Sequence, residues 1–560
     1  MTVLAIHDGH DSGVCLLRDG KVVYAFSEER RRNIKNYPGV PELSIAAALK
    51  RSGTTPADID LIAISGRLRT RAISGQRANS WRFIHFGYKL ARSDWATAVG
   101  QKILARMAKR EELHDYLRKI GLGDKPIRTY DHHRCHAATA FFHRPWSEES
   151  LVLTLDGAGD GLCATVSVGR GNEMKLVSST PKYHSMPANL YSLITWHLGL
   201  KPFEHEYKVM GMAPYGQAEQ VAALLRPLFS VEGMAFRNHT GKVGDHLMPF
   251  YEKLLARQRF DNISAGLQLV FEEMMLKWIK NCVAATGQHR IVCAGGAFLN
   301  VKANMLIRQL PEVETFFAYP ASDDGGTPVG AAILGYLDLC SERGISPELK
   351  PSPHMYLGLD FAEREMETAI QASGLPYQRL DDPAGRVAAM LAEGNIVARF
   401  DGQEELGPRA LGNRTIMADP RDLRNIRKLN FAIKYRDFWM PFAASILEED
   451  ADRYIKDRRG WPYYMIEAFQ TTPAAEKEII AGMHPMDNTV RPQIVNQLNP
   501  AYGQIIREFK KLTGVGGILN TSFNLHGFPI VGSPEIALDT LVKSQLDALL
   551  LGPFLVTKKP

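Results

Sequence analysis

The sequence has no long apolar run, few cysteines and no strong excess of either charge. No stretch of about 18 uncharged apolar residues occurs, which argues against a transmembrane helix. Only 6 cysteines occur in 560 residues, and none forms a C-x-x-C pair. This argues against a zinc ribbon and favours free thiols in a reducing compartment. Residues 1–6 begin as a strand without a basic leader, so we expect a cytoplasmic protein.

The charge balance is weakly basic, with 67 Lys and Arg against 61 Asp and Glu. Two basic clusters, at residues 29–32 and 67–71, are of the kind that line a nucleic-acid groove. We interpret them as solvated surface and expect no nucleic-acid partner. The weak surplus of positive charge can also attract an anionic substrate such as ATP.

The first 180 residues contain one pattern twice. An apolar strand leads into a polar glycine loop, a second strand, a tight turn and a third strand. The first copy has its loop at residues 7–13 and the second at 156–161. We therefore predict a duplicated mixed α/β domain with one glycine loop in each half.

Glycine loops at strand ends present backbone N–H groups that can bind phosphate. The second loop begins Asp156-Gly157, and a third strand runs into Gly295-Gly296 and a helix near Asn300. A single Asp-Gly loop is usually only a turn, but two loops in a duplicated unit favour a clamped nucleotide. We predict nucleotide contacts from these five residues.

The segment 131–138 predicts a helix with two histidines on one face. His132 and His136 are four residues apart, so both imidazoles can reach one ion. The pair Asp323-Asp324 offers a third ligand, and two histidines with one carboxylate suit Fe(II) or Zn(II). The alternatives are a packed histidine pair and an aspartate that caps the following helix.

A segment rich in Pro, Gly and Ser at residues 341–354 predicts an inter-domain linker. We predict domains over residues 1–350 and 355–560, the second also α/β. Residues 401–414 are dense in glycine, arginine and acids directly after a strand. Arg409 and Arg414, with Lys434 and Arg436 further on, favour an anion site, although a surface salt-bridge network is the alternative.

Over nearly the whole chain, these motifs resemble the O-carbamoyltransferases related to nodulation protein NodU, cephalosporin carbamoyltransferase and the aminoglycoside carbamoyltransferase TobZ. The resemblance is carried by the histidine segment, by both glycine loops and by three specific motifs at residues 206–216, 407–414 and 520–524.

The resemblance implies a fold and a reaction. The first domain is expected to be similar to the metal- and nucleotide-binding protein of tRNA threonylcarbamoylation, in the superfamily of actin, heat-shock chaperones and sugar kinases. The second is expected to be similar to YrdC. Carbamoyl phosphate and ATP, the latter with Mg²⁺, would give carbamoyl-adenylate, and the carbamoyl group would pass to a hydroxyl of a small-molecule acceptor of biosynthesis such as an antibiotic.

The resemblance also implies site residues. The metal, Fe(II) or alternatively Zn or Mn, is expected on His132, His136 and Asp324. His10 is expected to activate the acceptor hydroxyl. The remaining implied residues are the catalytic Lys208 and Arg409, and Asn520 and Ser522 for the carbamoyl end.

Two positions depart from the family pattern: Met440 and Ala444 stand where the family has arginine and proline. The acceptor pocket is expected near residues 83–94 and 184–190, without an indication of which acceptor it takes, and a second copy of the chain is a candidate partner. Three rival functions stay open: a carbamoyl enzyme acting on tRNA or a protein, a sugar kinase, and an ATP-driven scaffold.

Overall fold

The computed structural model describes residues 1–68, 110–185, 188–242, 247–434 and 437–559. The first sheet has the order β3-β2-β1-β4-β5. Its strands are β1 Thr2–His7, β2 Gly13–Arg18, β3 Lys21–Ser27, β4 Leu61–Ser65 and β5 Ile127–Tyr130.

The second sheet has the order β12-β11-β6-β7-β8. The strands of this part are β6 Ser150–Gly159, β7 Leu162–Arg170, β8 Glu173–Pro181, the hairpin β9 Phe229–Glu232 and β10 Ala235–Asn238, β11 Arg290–Ala294 and β12 Thr315–Ala318. In both sheets the first three strands are antiparallel and the last two join in parallel. This equivalence confirms the predicted duplication.

A third sheet of eight strands forms the core of the C-terminal part, in the order β13-β22-β21-β14-β15-β20-β16-β19. Its strands, with the small pair β17 and β18, are β13 Tyr377–Arg379, β14 Val397–Phe400, β15 Arg414–Ala418, β16 Ala443–Leu447, β17 Phe469–Gln470, β18 Thr489–Val490, β19 Gln493–Val495, β20 Gly517–Ser522, β21 Ala548–Leu551 and β22 Phe554–Val556. Alternate residues of one strand enter different apolar clusters, for example Val397 and Ala398. Both faces of this sheet are therefore covered.

Helices cover the sheets, and among the described ranges none has both the length and the apolar character that crossing a bilayer requires. The α-helices are Glu29–Arg32, Glu42–Ser52, Glu111–Lys119, His132–Phe142, Ala188–His197, Glu206–Met212, Glu219–Leu225, Met248–Leu254, Phe260–Thr286, Val301–Arg308, Thr327–Glu342, Glu363–Ser373, Pro383–Ala392, Leu423–Leu429, Ala451–Tyr454, Pro473–Glu478, Pro500–Thr513 and Pro534–Lys543. All six cysteines are buried and free.

Helices His132–Phe142 and Thr327–Glu342 occupy equivalent places after the last strands of the two N-terminal sheets. They pack closely, because a Cβ at Gly330 would overlap the carbonyl oxygen of Cys135. The Thr139 hydroxyl also donates to the Gly326 carbonyl at 3.1 Å. This contact brings the histidine helix against the loop that carries Asp324.

The connection between the two parts is packed against the first sheet. Helix Thr327–Glu342 includes the first two residues of the predicted linker. Further on, Lys350 forms a bridge with Lys21, and the Ala25 N–H donates to the Leu357 carbonyl at 2.8 Å. The chain then enters helix Glu363–Ser373.

The two departures from the family pattern lie in packed surroundings. Met440 is buried, and a Cβ at Gly211 would lie 3.4 Å from its sulfur. Ala444 is fully buried in β16, where it faces Gly482. At both positions the side chain fills space in the core.

Candidate metal centre and its surroundings

Four side chains of the N-terminal part converge on one point: His132, His136, Asp156 and Asp324. One ligand atom from each lies within 4.8 Å of every other. The two Nε2 atoms are 3.1 Å apart. Each Nε2 lies 3.3 or 3.4 Å from an oxygen of Asp156 and from an oxygen of Asp324. Two imidazole nitrogens and two carboxylate oxygens facing one another form a donor set that fits a divalent transition metal.

The histidine helix is positioned at its first turn. Asp131 is its N-cap and accepts from the Arg134 N–H at 3.1 Å, which satisfies one of the free amides of the helix end. The His132 N–H donates to Asp160 of the second glycine loop at 2.7 Å. The i,i+4 spacing then puts the rings of His132 and His136 on one face, as the sequence predicts.

Asp156 is the fourth member of the cluster, although the sequence indicated only a nucleotide contact for it. The pairing of β6 with β7 is interrupted between Leu155 and Gly159. Such a bulge redirects side chains at a strand end. Asp156 turns towards the histidines here, and its other oxygen accepts from the Gly157 N–H at 2.5 Å.

Glycines let the loops around the cluster approach closely. A Cβ at Gly159 would overlap the ring of His132. Gly295 has φ +105°, and a Cβ there would overlap the Leu155 backbone, while one at Gly296 would lie 3.4 Å from Asp156. The two predicted glycine segments therefore meet at Asp156.

The opposite charges in the cluster stabilise one another. Burial disfavours the charged imidazole, but Asp324 and Asp156 outweigh it and raise the pKa of His132 to about 9. The pKa of His136 is raised against burial by the same two carboxylates. Burial would raise the pKa of both aspartates, yet the histidines lower it. A field that favours protons on two imidazoles also favours a cation between them.

His133 and His7 surround the cluster. Burial and the two neighbouring histidines lower the pKa of His133 to about 3, and its Nδ1 lies 2.8 Å from the Thr154 hydroxyl. The Nε2 atom of His7 is 3.8 Å from Asp324 and 2.9 Å from the His10 carbonyl, while its Nδ1 is 2.8 Å from Ser65. Sequence reasoning missed His7, although it ends a strand at the first glycine loop.

His10 lies on the same first loop. Its Nδ1 is 3.0 Å from an Asp11 oxygen, and its ring meets Phe203 edge-on at 5.6 Å. Among the described residues its buried Nε2 has no hydrogen-bond partner. The contact with Asp11 orients the ring.

Lys208 and Arg409 lie at the boundary of the two parts. Lys208 is buried, and its ammonium is 3.0 Å from Asp437. The charge of Arg409 reaches Asp323, the neighbour of Asp324. Burial and adjacent acids raise the pKa of Asp323 to about 7, while His136 and Arg409 act in the opposite direction. The charge of a cation from the C-terminal part thus acts on the residue next to Asp324.

Arg414 and Asn520 hold together the loop of residues 401–414 in the C-terminal part, which we call the glycine–arginine loop. Arg414 is fully buried and donates from both terminal nitrogens to four backbone carbonyls, those of Asp401, Asn413, Leu359 and Gly402. Asn520 donates to Ala410, Ser445 and Gln493 and accepts from Thr415. The sequence predicted ligand contacts from the guanidinium of Arg414 and the amide of Asn520, and these bonds occupy both groups. A ligand contact from either group would require breaking some of them.

The structure describes some of the other residues that the sequence predicted to contact ligands. Asn300 caps helix Val301–Arg308 by accepting from the Ala303 N–H at 3.0 Å, and its amide pairs with Gln268. The Ser522 hydroxyl donates to Asn524 at 2.7 Å. The side chain of Lys434, residue Arg436 and residues 83–94 lie outside the part that the structure describes.

Comparison with known proteins finds matches to both parts of the chain. A family model described as carbamoyltransferase N-terminus matches residues 3–333, and one described as carbamoyltransferase C-terminus matches residues 388–558. Nodulation protein NolNO of Sinorhizobium fredii is 32% identical over 98% of this chain and 79% of its own length. Nodulation protein NolO of Bradyrhizobium diazoefficiens is 34% identical over 77% of this chain and 79% of its own.

Two further matches extend the comparison. An uncharacterized protein of Synechocystis is 30% identical over 98% of this chain and 95% of its own length. Among solved structures, full-length HypF in its phosphate- and nucleotide-bound form is 13% identical over 62% of this chain and 47% of its own, with a TM-score of 0.32. A TM-score this low carries no argument about function.

Proposed function

Because the chain belongs to the carbamoyltransferase family, we propose that it forms carbamoyl-adenylate and transfers the carbamoyl group to a hydroxyl of a small-molecule acceptor. The observation that carries this proposal is the four-residue cluster of His132, His136, Asp156 and Asp324, and the charge of Arg409 from the other domain lowers the pKa of the adjacent Asp323. A transfer reaction between two domains requires a site at which both contribute.

The proposed reaction has three steps. Water releases phosphate from carbamoyl phosphate and leaves carbamate. A carbamate oxygen then attacks the α-phosphorus of ATP, forming carbamoyl-adenylate and expelling pyrophosphate. The acceptor hydroxyl finally attacks the carbamoyl carbon, its proton goes to a base, and AMP leaves. Adenylation makes AMP the leaving group of this last step.

We assign the adenylate-forming steps to the C-terminal domain, which we propose to be YrdC-like. Arg409 would contact the phosphates, together with Lys434 and Arg436, and Ser522 would face the carbamoyl end. Cations at these positions stabilise the charge that develops on a transferring phosphoryl group. Mg²⁺ would accompany ATP. The bonds that Arg414 and Asn520 make to the loop support a shaping role for them.

We assign the transfer step to the N-terminal domain, which we propose to be of the actin and sugar-kinase type. The cluster would hold one Fe(II), or alternatively Zn or Mn, and such an ion supplies Lewis acidity towards a carbonyl or phosphate oxygen. Gly296 would leave space for a nucleotide beside Asp156, while Gly295 makes room for the Leu155 backbone. Lys208, paired with Asp437 at 3.0 Å, would keep a positive charge at the boundary.

We propose His10 as the base that removes the acceptor proton. Asp11 orients its ring at 3.0 Å, and its Nε2 is without a hydrogen-bond partner among the described residues. An oriented imidazole with a vacant nitrogen is suited to general-base catalysis. The acceptor would be a natural product or sugar, and the reaction would take place in the cytoplasm. We propose no nucleic-acid partner, and we propose that the protein forms a homodimer.

Isotope exchange between pyrophosphate and ATP tests the proposal. Exchange should depend on carbamoyl phosphate, because carbamate must attack the α-phosphorus before pyrophosphate leaves. Exchange that ignores carbamoyl phosphate would contradict the adenylate. Formation of ADP with a phosphorylated acceptor would instead identify a kinase.

A further inference from the structure

The sequence suggested that the basic cluster at residues 29–32 is solvated surface. In the structure two of its members, Arg30 and Arg31, lie at the domain boundary instead. Helix Glu29–Arg32 follows β3. The side chains of Arg30 and Arg31 are 3% and 7% exposed, and both reach the buried Glu404 of the C-terminal domain. Two buried arginines next to each other need a specific set of partners.

The helix itself is fixed to the N-terminal domain by Glu28. This fully buried carboxylate accepts from the N–H groups of Leu43 at 3.1 Å and Ser44 at 2.7 Å, and from Arg32 at 2.8 Å. The helix therefore moves with the first domain.

Arg30 also holds the backbone of the glycine–arginine loop. It donates to the carbonyls of Glu405 at 2.7 Å and Gly407 at 2.5 Å. Gly407 is two residues before Arg409. Gly407 also approaches the first domain at Ala321. It has φ +98°, and a Cβ there would lie 3.1 Å from the Cβ of Ala321.

The loop is therefore held between two parts of the first domain. Ala321 lies three residues before Asp324 in the chain, so one side of the loop touches the segment that leads to the metal cluster. Inside the loop, Glu405 accepts from the N–H groups of Leu411, Asn413 and Arg414. These bonds fix the shape of the loop, whereas Arg30 fixes its place.

We infer that Arg30 is a positioning residue of the first domain that sets the place of Arg409 in the second. This inference rests on the proposed function and names a residue that couples its two domains. Arg31 supplies a matched control, because it shares the helix, the burial and Glu404. Among the described residues, Arg31 donates to no carbonyl of the loop.

The test compares Arg30→Lys with Arg31→Lys in pyrophosphate–ATP exchange driven by carbamoyl phosphate. Lysine keeps the charge but cannot span both carbonyls. Arg30→Lys should slow exchange roughly ten- to hundredfold, since small displacements at a reacting site have effects of this size. Arg31→Lys should keep the wild-type rate.

Chemical rescue separates positioning from loss of stability. Exchange by Arg30→Ala should recover when guanidinium ion is added at a concentration that leaves the melting temperature of wild type unchanged. Equal rates for the two lysine variants, or no recovery, would overturn the inference. A wild type without carbamoyl-phosphate-dependent exchange would overturn the proposed function as well, so the two failures are distinguishable.

Discussion

The metal cluster and the glycine–arginine loop are both dense in charged residues, but they use their charges differently. In the cluster, His132, His136, Asp156 and Asp324 point at one another. In the loop, Arg414 bonds four carbonyls and Glu405 accepts three N–H groups. The first arrangement leaves a place for a cation, whereas the second satisfies the backbone.

This difference indicates where a substitution should affect chemistry and where it should affect folding. Side chains that face only each other can exchange partners for an ion. Buried side chains that satisfy backbone groups leave those groups unpaired when they are removed. Substitutions in the cluster should therefore change metal binding and rate, and substitutions of Arg414 should change stability.

The largest effect is expected for His136→Ala. Removal of one imidazole should release the metal and slow transfer by about 10³-fold, because a catalytic ion contributes several kcal/mol to the barrier. Metal content by mass spectrometry and the rate of acceptor carbamoylation measure this. His143→Gln, at the C-cap of the same helix but outside the cluster, should keep its metal. Full metal content in His136→Ala would contradict the assignment.

Arg414→Met should lower the free energy of unfolding by roughly 3 kcal/mol, because four backbone carbonyls lose a donor, two of them in buried bonds. Urea unfolding measures the change. Arg424→Met is the control, since Arg424 is 92% exposed and should change stability by less than about 0.5 kcal/mol. A fully stable Arg414→Met protein with slow exchange would instead place the guanidinium at a ligand.

His10→Ala should slow transfer by about 10²-fold, the lower end for a well-placed base. Pyrophosphate–ATP exchange should continue, because His10 belongs to the transfer site. Transfer and exchange are measured on the same preparation, and their rates are compared with those of the wild type. Transfer at the wild-type rate would remove His10 from the mechanism, and an equal loss in both assays would assign it to another step.

The smallest effect is expected for Gly159→Ala. The new methyl group must displace the ring of His132, so metal affinity should fall about tenfold, as for other changes that misorient a ligand. Titration with a competing chelator measures the affinity. Gly503→Ala, in helix Pro500–Thr513 of the C-terminal part, should leave the metal affinity unchanged. An unchanged affinity in Gly159→Ala would show that the ring has room to move.

The features that could be predicted from sequence are those set by neighbouring residues. Alternating apolar strands around glycine loops indicated the duplication, and the i,i+4 spacing indicated that His132 and His136 share a face. Asp156 was noticed as a loop residue, but its place in the cluster depends on the bulge in β6. That bulge is a property of the pairing with β7, which no local pattern specifies.

The features that could not be predicted depend on contacts between distant segments. Arg30 resembles a surface arginine in sequence, yet its carbonyl partners are about 375 residues away. In the sequence, Arg414 has the glycine and arginine neighbours that are typical of an anion-binding arginine. Its role is decided by carbonyls of Leu359 and Asp401, which lie beside it only in the folded structure.

We expect one cation to bind to His132, His136, Asp156 and Asp324. Anomalous diffraction from crystals of the metal-loaded protein, collected on both sides of the absorption edge, tests it most directly. The expected result is a single peak with both Nε2 atoms and an oxygen of each aspartate at about 2.0–2.2 Å. A peak elsewhere in the molecule, with these four side chains bonded only to one another, would contradict the claim.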